Sequence, residues 1–125
     1  MSIINHHSVL NAALDDSILA KKCEGLGVKF NAQGVIELAT TYATCQGIIV
    51  RSYSAIDGSC ARADVALRGS GVRVHVALAD SVAVADGAAS MLAPSEGGKF
   101  TISAAASSIR AIKSAAAGTL CECII

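Results

Sequence analysis

Large rings are nearly missing from this chain, which has two Phe, two Tyr and no Trp among its 125 residues. Aromatic side chains bury more area than any others, so their scarcity leaves Ala, Val and Ile to fill the interior. Such a core gains little per side chain, and burial against neighbouring subunits would add apolar area worth about 25 cal/mol per Å². The composition therefore leans towards an assembled protein. Proline occurs once, at Pro94, and no Ser/Gly-rich linker is present. Charge is also scarce. Only 16% of residues carry it, and ten basic residues balance ten acidic ones. Nucleic-acid binding calls for a basic excess on some face, yet no basic run exceeds Lys21-Lys22. Nucleic acid is excluded as a partner.

Long apolar runs are absent too. No stretch approaches the roughly 18 to 20 residues of a membrane span, so a membrane is excluded as a partner. The start, Met1-Ser2-Ile3-Ile4-Asn5-His6-His7, lacks the charged lead and apolar run of a secretory signal. A reducing cytoplasm is expected, where thiols stay free. Five cysteines cannot all pair within one chain. With 53% hydrophobic residues, disorder is excluded as well.

What is present is a succession of short apolar runs punctuated by glycine. Residues 8–22 read SVLNAALDDSILAKK. Val9, Leu10, Ala13, Leu14 and Ile18 are spaced as a helical stripe would be, with Lys21 and Lys22 well placed at its end. An extended arm fits equally, because a helix of this length is marginal alone. Residues 1–24 are therefore expected to form an N-terminal arm, extended or part helical, and 25–125 a β-rich domain. Beyond Gly27 the period becomes two. Residues 28–30 and 35–38 flank Asn31-Ala32-Gln33-Gly34, a hairpin turn. Further strands are expected at 47–53, 61–67, 72–78, 82–84, 88–93, 99–103, 108–113 and 119–125. The clearest is VRVHVAL, which puts Val72, Val74, Val76 and Leu78 on one face and Arg73, His75 and Ala77 on the other. No internal repeat is visible. The pattern predicts an all-β fold, a small antiparallel β-barrel or sandwich.

Chemistry-bearing residues are few. Cys121 and Cys123 are separated by one residue, whereas redox motifs use C-x-x-C and zinc knuckles use C-x₂₋₄-C. In a strand the two share a face with Ile125, with Glu122 opposite, and small apolar packing is the expected role. His6 and His7 lie near the terminus and are expected in a partner contact or a loose tail. His75 is expected on the less buried face of its strand. No G-x-S-x-G or phosphate-loop motif occurs, and Gly97-Gly98-Lys99 is expected to be a hairpin turn. Asp15-Asp16 and the pair Asp80 and Asp86 suit a helix face and turns. Neither catalysis, a cofactor nor a metal is expected.

The order of these signals resembles the decoration, or cement, proteins of tailed-bacteriophage capsids, from about Gly25 to the end. The similarity rests on residues 34–39, 47–50 and 72–78, on Gly87, on Gly98-Lys99-Phe100, on residues 109–112, and on the ending AAAGTLCECII. Arg110 departs from the family's usual glycine. The resemblance implies a β-domain that binds the outside of an assembled shell and strengthens it, without catalysis or cofactor. It implies the major capsid protein and further copies of itself, as a trimer or dimer, as partners. Its location would be the capsid surface of the virion, after assembly in the host cytoplasm. An N-terminal arm would reach the shell through Asn5, His6, His7, Val9, Leu10 and Leu14. Two other roles fit the residues: another virion β-module, in a head fibre or tail, and a small cytosolic β-barrel binding protein.

Overall fold

The computed structural model describes residues 9–18, 22–54, 61–85 and 90–125. Among them the glycine-punctuated runs become ten strands: β1 (Val9–Ala13), β2 (Gly27–Phe30), β3 (Ile36–Leu38), β4 (Gly47–Ser54), β5 (Ala61–Leu67), β6 (Arg73–Ala77), β7 (Ser90–Pro94), β8 (Phe100–Ile102), β9 (Arg110–Ala111) and β10 (Leu120–Ile124). They form two antiparallel five-stranded sheets, ordered β1-β5-β4-β2-β3 and β6-β10-β9-β7-β8. Neither closes into a barrel, and the fold is a small sandwich. The predicted hairpin is present, with Val28 opposite Leu38 and Phe30 opposite Ile36. Asn31 closes its turn by accepting bonds from the Gln33 and Val35 amides at its side-chain Oδ1. The β6 alternation is realised as well: Val74, Val76 and Leu78 are buried while Arg73 and His75 are exposed.

The helical stripe expected over 8–22 is not formed in the described part. Val9–Ala13 is a strand paired with β5, from Val9 opposite Ala66 to Ala13 opposite Arg62. Leu14, Ile18 and Cys23 are buried. Val9–Ala13, Leu14, Ile18 and Cys23, assigned to a separate arm, are therefore paired or packed with the β-domain itself. The physical reason is ambiguity of period. Five apolar positions can satisfy either spacing, and a strand that fills a ladder outcompetes a marginal isolated helix.

The two sheets share one plan. In each, the strand order is first, fifth, fourth, second, third. In each, the residue after the first strand makes a parallel bridge to the start of the third, Leu14 to Ile36 and Leu78 to Phe100. The finer hydrogen bonds match in turn. Asp15 N–H to Ile36 O (2.9 Å) corresponds to Ala79 N–H to Phe100 O (2.8 Å). Leu14 to Ala61 O and Leu78 to Thr119 O are both 3.0 Å. Ala39 to Gly27 O corresponds to Ser103 to Met91 O, and the turn bonds of Asn31 and Gly34 correspond to those of Ser95 and Gly98. Gly34 and Gly98 have φ of 76° and 75°. An internal repeat thus exists where none is visible in the linear sequence. Superposing the halves aligns ALDDSI with ALADSV, sharing Ala13/Ala77, Leu14/Leu78, Asp16/Asp80 and Ser17/Ser81. Elsewhere the turn glycines Gly34 and Gly98 are identical, and several buried positions correspond without identity, as Ile36 with Phe100 or Val65 with Cys123.

Each half has its own core. Leu14, Ile18, Cys23, Leu26, Val28, Ile36, Ile49, Ala63 and Val65 pack in the first. In the second, Val74, Val76, Leu78, Leu92, Phe100, Ile109, Cys121, Cys123 and Ile125 pack with Ala39, Cys45, Ile48 and Ala66 from the opposite face of the first sheet. That face joins the halves, aided by the Ser108 amide bonded to the Tyr42 hydroxyl, while Arg68 of the same half as Tyr42 stacks 4.4 Å over its ring. Gly25 stitches them along the backbone: its N–H donates to Ile49 O (2.8 Å) and its carbonyl accepts from Ala77 N–H (2.9 Å). A Cβ on Gly25, at φ 86°, would lie 2.6 Å from the Ala77 nitrogen, whereas one on Gly34 would meet nothing within 4 Å. Gly34→Ala should cost about 1 kcal/mol, for its left-handed backbone alone. Gly25→Ala should cost about 3 kcal/mol, since backbone must move as well. Urea denaturation of both variants checks the difference, and equal losses would refute the stitching role.

Candidate functional site

Three surfaces bring chemically interesting groups together. The first is the outer side of β1. Leu14 N–H donates to Ala61 O, which makes Leu10 and Ala12 the hydrogen-bonded partners of β5 and turns the backbone groups of Val9, Asn11 and Ala13 to the other side, where Ile36 bridges to Leu14. The exposed Asn11 is held rigidly. Its side-chain amide donates to Asp64 at 2.9 Å, and Arg62 Nε donates to its oxygen at 2.6 Å. Tyr53 adds a hydroxyl bond of 2.7 Å to Asp64. Hydrogen bonds from Asn11 and then Tyr53 hold the Asp64 carboxyl below its usual range. Beside this polar ladder stand Val9 and Leu10, exposed at 36% and 45%.

The second is the CEC segment of β10. Cys121, Cys123 and Ile125 are buried, and Leu120 is half exposed on the other side. The thiols donate to main-chain carbonyls, Cys121 to Lys113 O at 3.3 Å and Cys123 to Cys121 O at 3.5 Å. Burial raises both thiols above their usual range, Cys123 far more than Cys121. Cys23 and Cys45 are raised by burial too. A raised thiol holds little thiolate, so these sulfurs act as small apolar groups. Glu122 points the opposite way, 2.9 Å from Arg73 and 3.3 Å from Lys113, and is held below its usual range chiefly by Lys113.

The third is a cleft of about 210 Å³ between β4 and β6, floored by Gly25, Ile49 and Val74 and rimmed by Glu24, Val50, Arg73, His75 and Leu120. It places a carboxylate, a guanidinium and an imidazole over an apolar floor.

The residues assigned to a shell contact separate. Asn5, His6 and His7 lie outside the described residues, as do Asp86, Gly87 and Cys60. Val9 and Leu10 are exposed on β1, but Leu14 is only 8% exposed. Its side chain is spent in the first core, because the bridge to Ile36 turns it inward, and it cannot form a contact face. The Asn11–Asp64 ladder escaped the sequence reading, since its members lie far apart in the chain and meet only through the β1–β5 register. Among the described residues, no group of three or more His, Cys, Asp or Glu could hold a metal ion, and no helix is long and apolar enough to cross a membrane. No protein-family model and no curated protein matches the chain.

Two outcomes follow from the thiols. At neutral pH a thiol reagent should leave Cys23, Cys45, Cys121 and Cys123 unlabelled in the folded protein and label them after unfolding. Site mapping by mass spectrometry checks this, and rapid native labelling of Cys121 or Cys123 would refute the packing role. Their folded-state pKa values lie above the model-compound value of 9.0. Their contribution to stability is therefore complete below pH 9.0 and is lost as pH rises through the folded values. The denaturation midpoint should fall above pH 9, more steeply than in a Cys123→Ala variant.

Proposed function

We propose that this chain is a structural virion protein that binds the outer surface of a tailed-phage capsid and strengthens the shell. The reading is carried by the resemblance of residues 25–125 to decoration proteins, above all in their ending. There the alanine-rich stretch turns at Gly118, whose φ is 79°, and enters β10 with Cys121, Cys123 and Ile125 inward. The neutral net charge suits a partner that is protein, not packaged DNA.

Sandwich and N-terminal residues divide the work. The sandwich holds its shape, and Asn5, His6 and His7 make the shell contact with the major capsid protein. Several such contacts made together by an oligomer raise the overall affinity above that of each one. In this reading the protein folds in the host cytoplasm and is added to the shell afterwards.

Purified particles of the phage that encodes the chain should contain it at a fixed ratio to the major capsid protein, as read by quantitative mass spectrometry. Replacing Asn5, His6 and His7 together by serine should lower co-sedimentation with undecorated shells several-fold, while far-UV circular dichroism stays unchanged. Absence of the wild-type chain from particles would overturn the reading.

A further inference from the structure

The cleft beside Gly25 opens onto the outer face of the second sheet, where charge is unevenly spread. Across β6, β10 and β9 the outward charged side chains are Arg73, Arg110, Lys113 and Glu122, on a chain whose formal charges balance. Register fixes their spacing. Arg73 and Arg110 pair with Ile124 from opposite sides, which sets them two strands, about 10 Å, apart. Glu122 neutralises little of this row. Its two oxygens are shared between Arg73 and Lys113, at 2.9 and 3.3 Å, and the Arg73 side chain stays 65% exposed. The exposed His75 stands next to Glu122 in the register.

The cleft itself is apolar at depth, and it is open because Gly25 has no side chain. A Cβ there would lie 2.9 Å from Leu120 Cδ2, closing the gap over Ile49 and Val74. The exposed side chains of Leu120 and Val50 form its lips. At about 210 Å³ it falls below the roughly 300 to 1,000 Å³ of clefts that enclose whole small molecules. One aliphatic side chain fits that size, and such an anchor in a pocket is how a partner protein is seated.

We infer that this cleft docks a segment of a partner protein in which an acidic run precedes one aliphatic residue and a basic residue follows it. The aliphatic side chain fills the space beside Gly25. The nearest carboxylate is taken by Arg73 and His75, in charge-assisted hydrogen bonds. Glu24, also on the rim, repels a carboxylate and accepts from the basic residue. Charges of both signs around an apolar knob are the chemistry of a polypeptide. Arg110 continues the basic row about 10 Å beyond Arg73, farther than a single amino acid reaches, so the occupant is a chain lying across the strands. The site is separate from Asn5, His6 and His7 and does not rest on the shell reading.

Nuclear magnetic resonance of the isotope-labelled full chain tests this with the peptide acetyl-Glu-Glu-Glu-Leu-Lys-amide. It should shift the Gly25, Val74 and His75 amides saturably, and bind less tightly at high salt. Glycine in place of the peptide's leucine should abolish the shifts, and free leucine should not produce them. Arg73→Gln should weaken binding about ten-fold, the loss of one charge-assisted bond. Arg110→Gln should weaken it as well, and far-UV circular dichroism of both variants should match the parent. No saturable shift at these amides would overturn the inference. So would equal binding of the glycine peptide, equal shifts from free leucine, or unchanged binding by a folded Arg110→Gln variant. Shifts that grow with protein concentration alone would place a second copy in the cleft and overturn it too. Peptide binding by a chain that is absent from particles would leave it standing and count against the shell reading alone.

Discussion

The two halves of the molecule meet along a path too narrow for a side chain. At Gly25 the backbone donates to β4 of one sheet and accepts from β6 of the other, with bonds of 2.8 and 2.9 Å. A chain without Trp cannot prop two sheets apart with large rings, so stability has to come from close approach of backbone and from many short aliphatic contacts. Gly47 obeys the same constraint, since a Cβ there would lie 2.4 Å from a Val65 methyl. The one large ring at the centre of the second half, Phe100, is completely buried and occupies the place that Ile36 fills in the first.

That a single plan is used twice accounts for features that otherwise look unrelated. The parallel bridges at Leu14 and Leu78 are the same bridge, and the turns at Gly34 and Gly98 are the same turn. The plan needs certain volumes inside and a left-handed residue at one turn, and is indifferent to much else. Divergence has removed identity and kept burial. The halves are then distinguished by what covers them. The second half has the face of the first sheet over its core, contributed by Ile48, Ala66, Ala39 and Cys45. The corresponding positions of the second half include Arg110, which is exposed.

Several sulfur-bearing and charged side chains of this protein are bound into its structure. Cys23, Cys45, Cys121 and Cys123 are packed and disfavoured as thiolates by burial, and the carboxylates Asp64 and Glu122 are tied into hydrogen-bond and ion-pair ladders on sheet faces. These groups stiffen a scaffold. A near-neutral β-sandwich is suited to holding geometry among other proteins, and the shell-binding proposal draws on that property.

By itself the sequence determined the class of fold and most of its strands, because period-two alternation and glycine at turns are local signals. Residues 61–67 and the 28–38 hairpin are of this kind. It also determined the inward face of the ending, since Cys121, Cys123 and Ile125 alternate with Glu122. Only the tertiary structure decided the fate of residues 9–18, whose apolar spacing suits helix and strand alike until β5 offers a ladder. Likewise the repeat, the Asn11–Asp64 ladder and the burial of Leu14 depend on pairings between residues distant along the chain. Such pairings leave no periodic trace, because register is set by how whole faces pack and not by the residues of one strand.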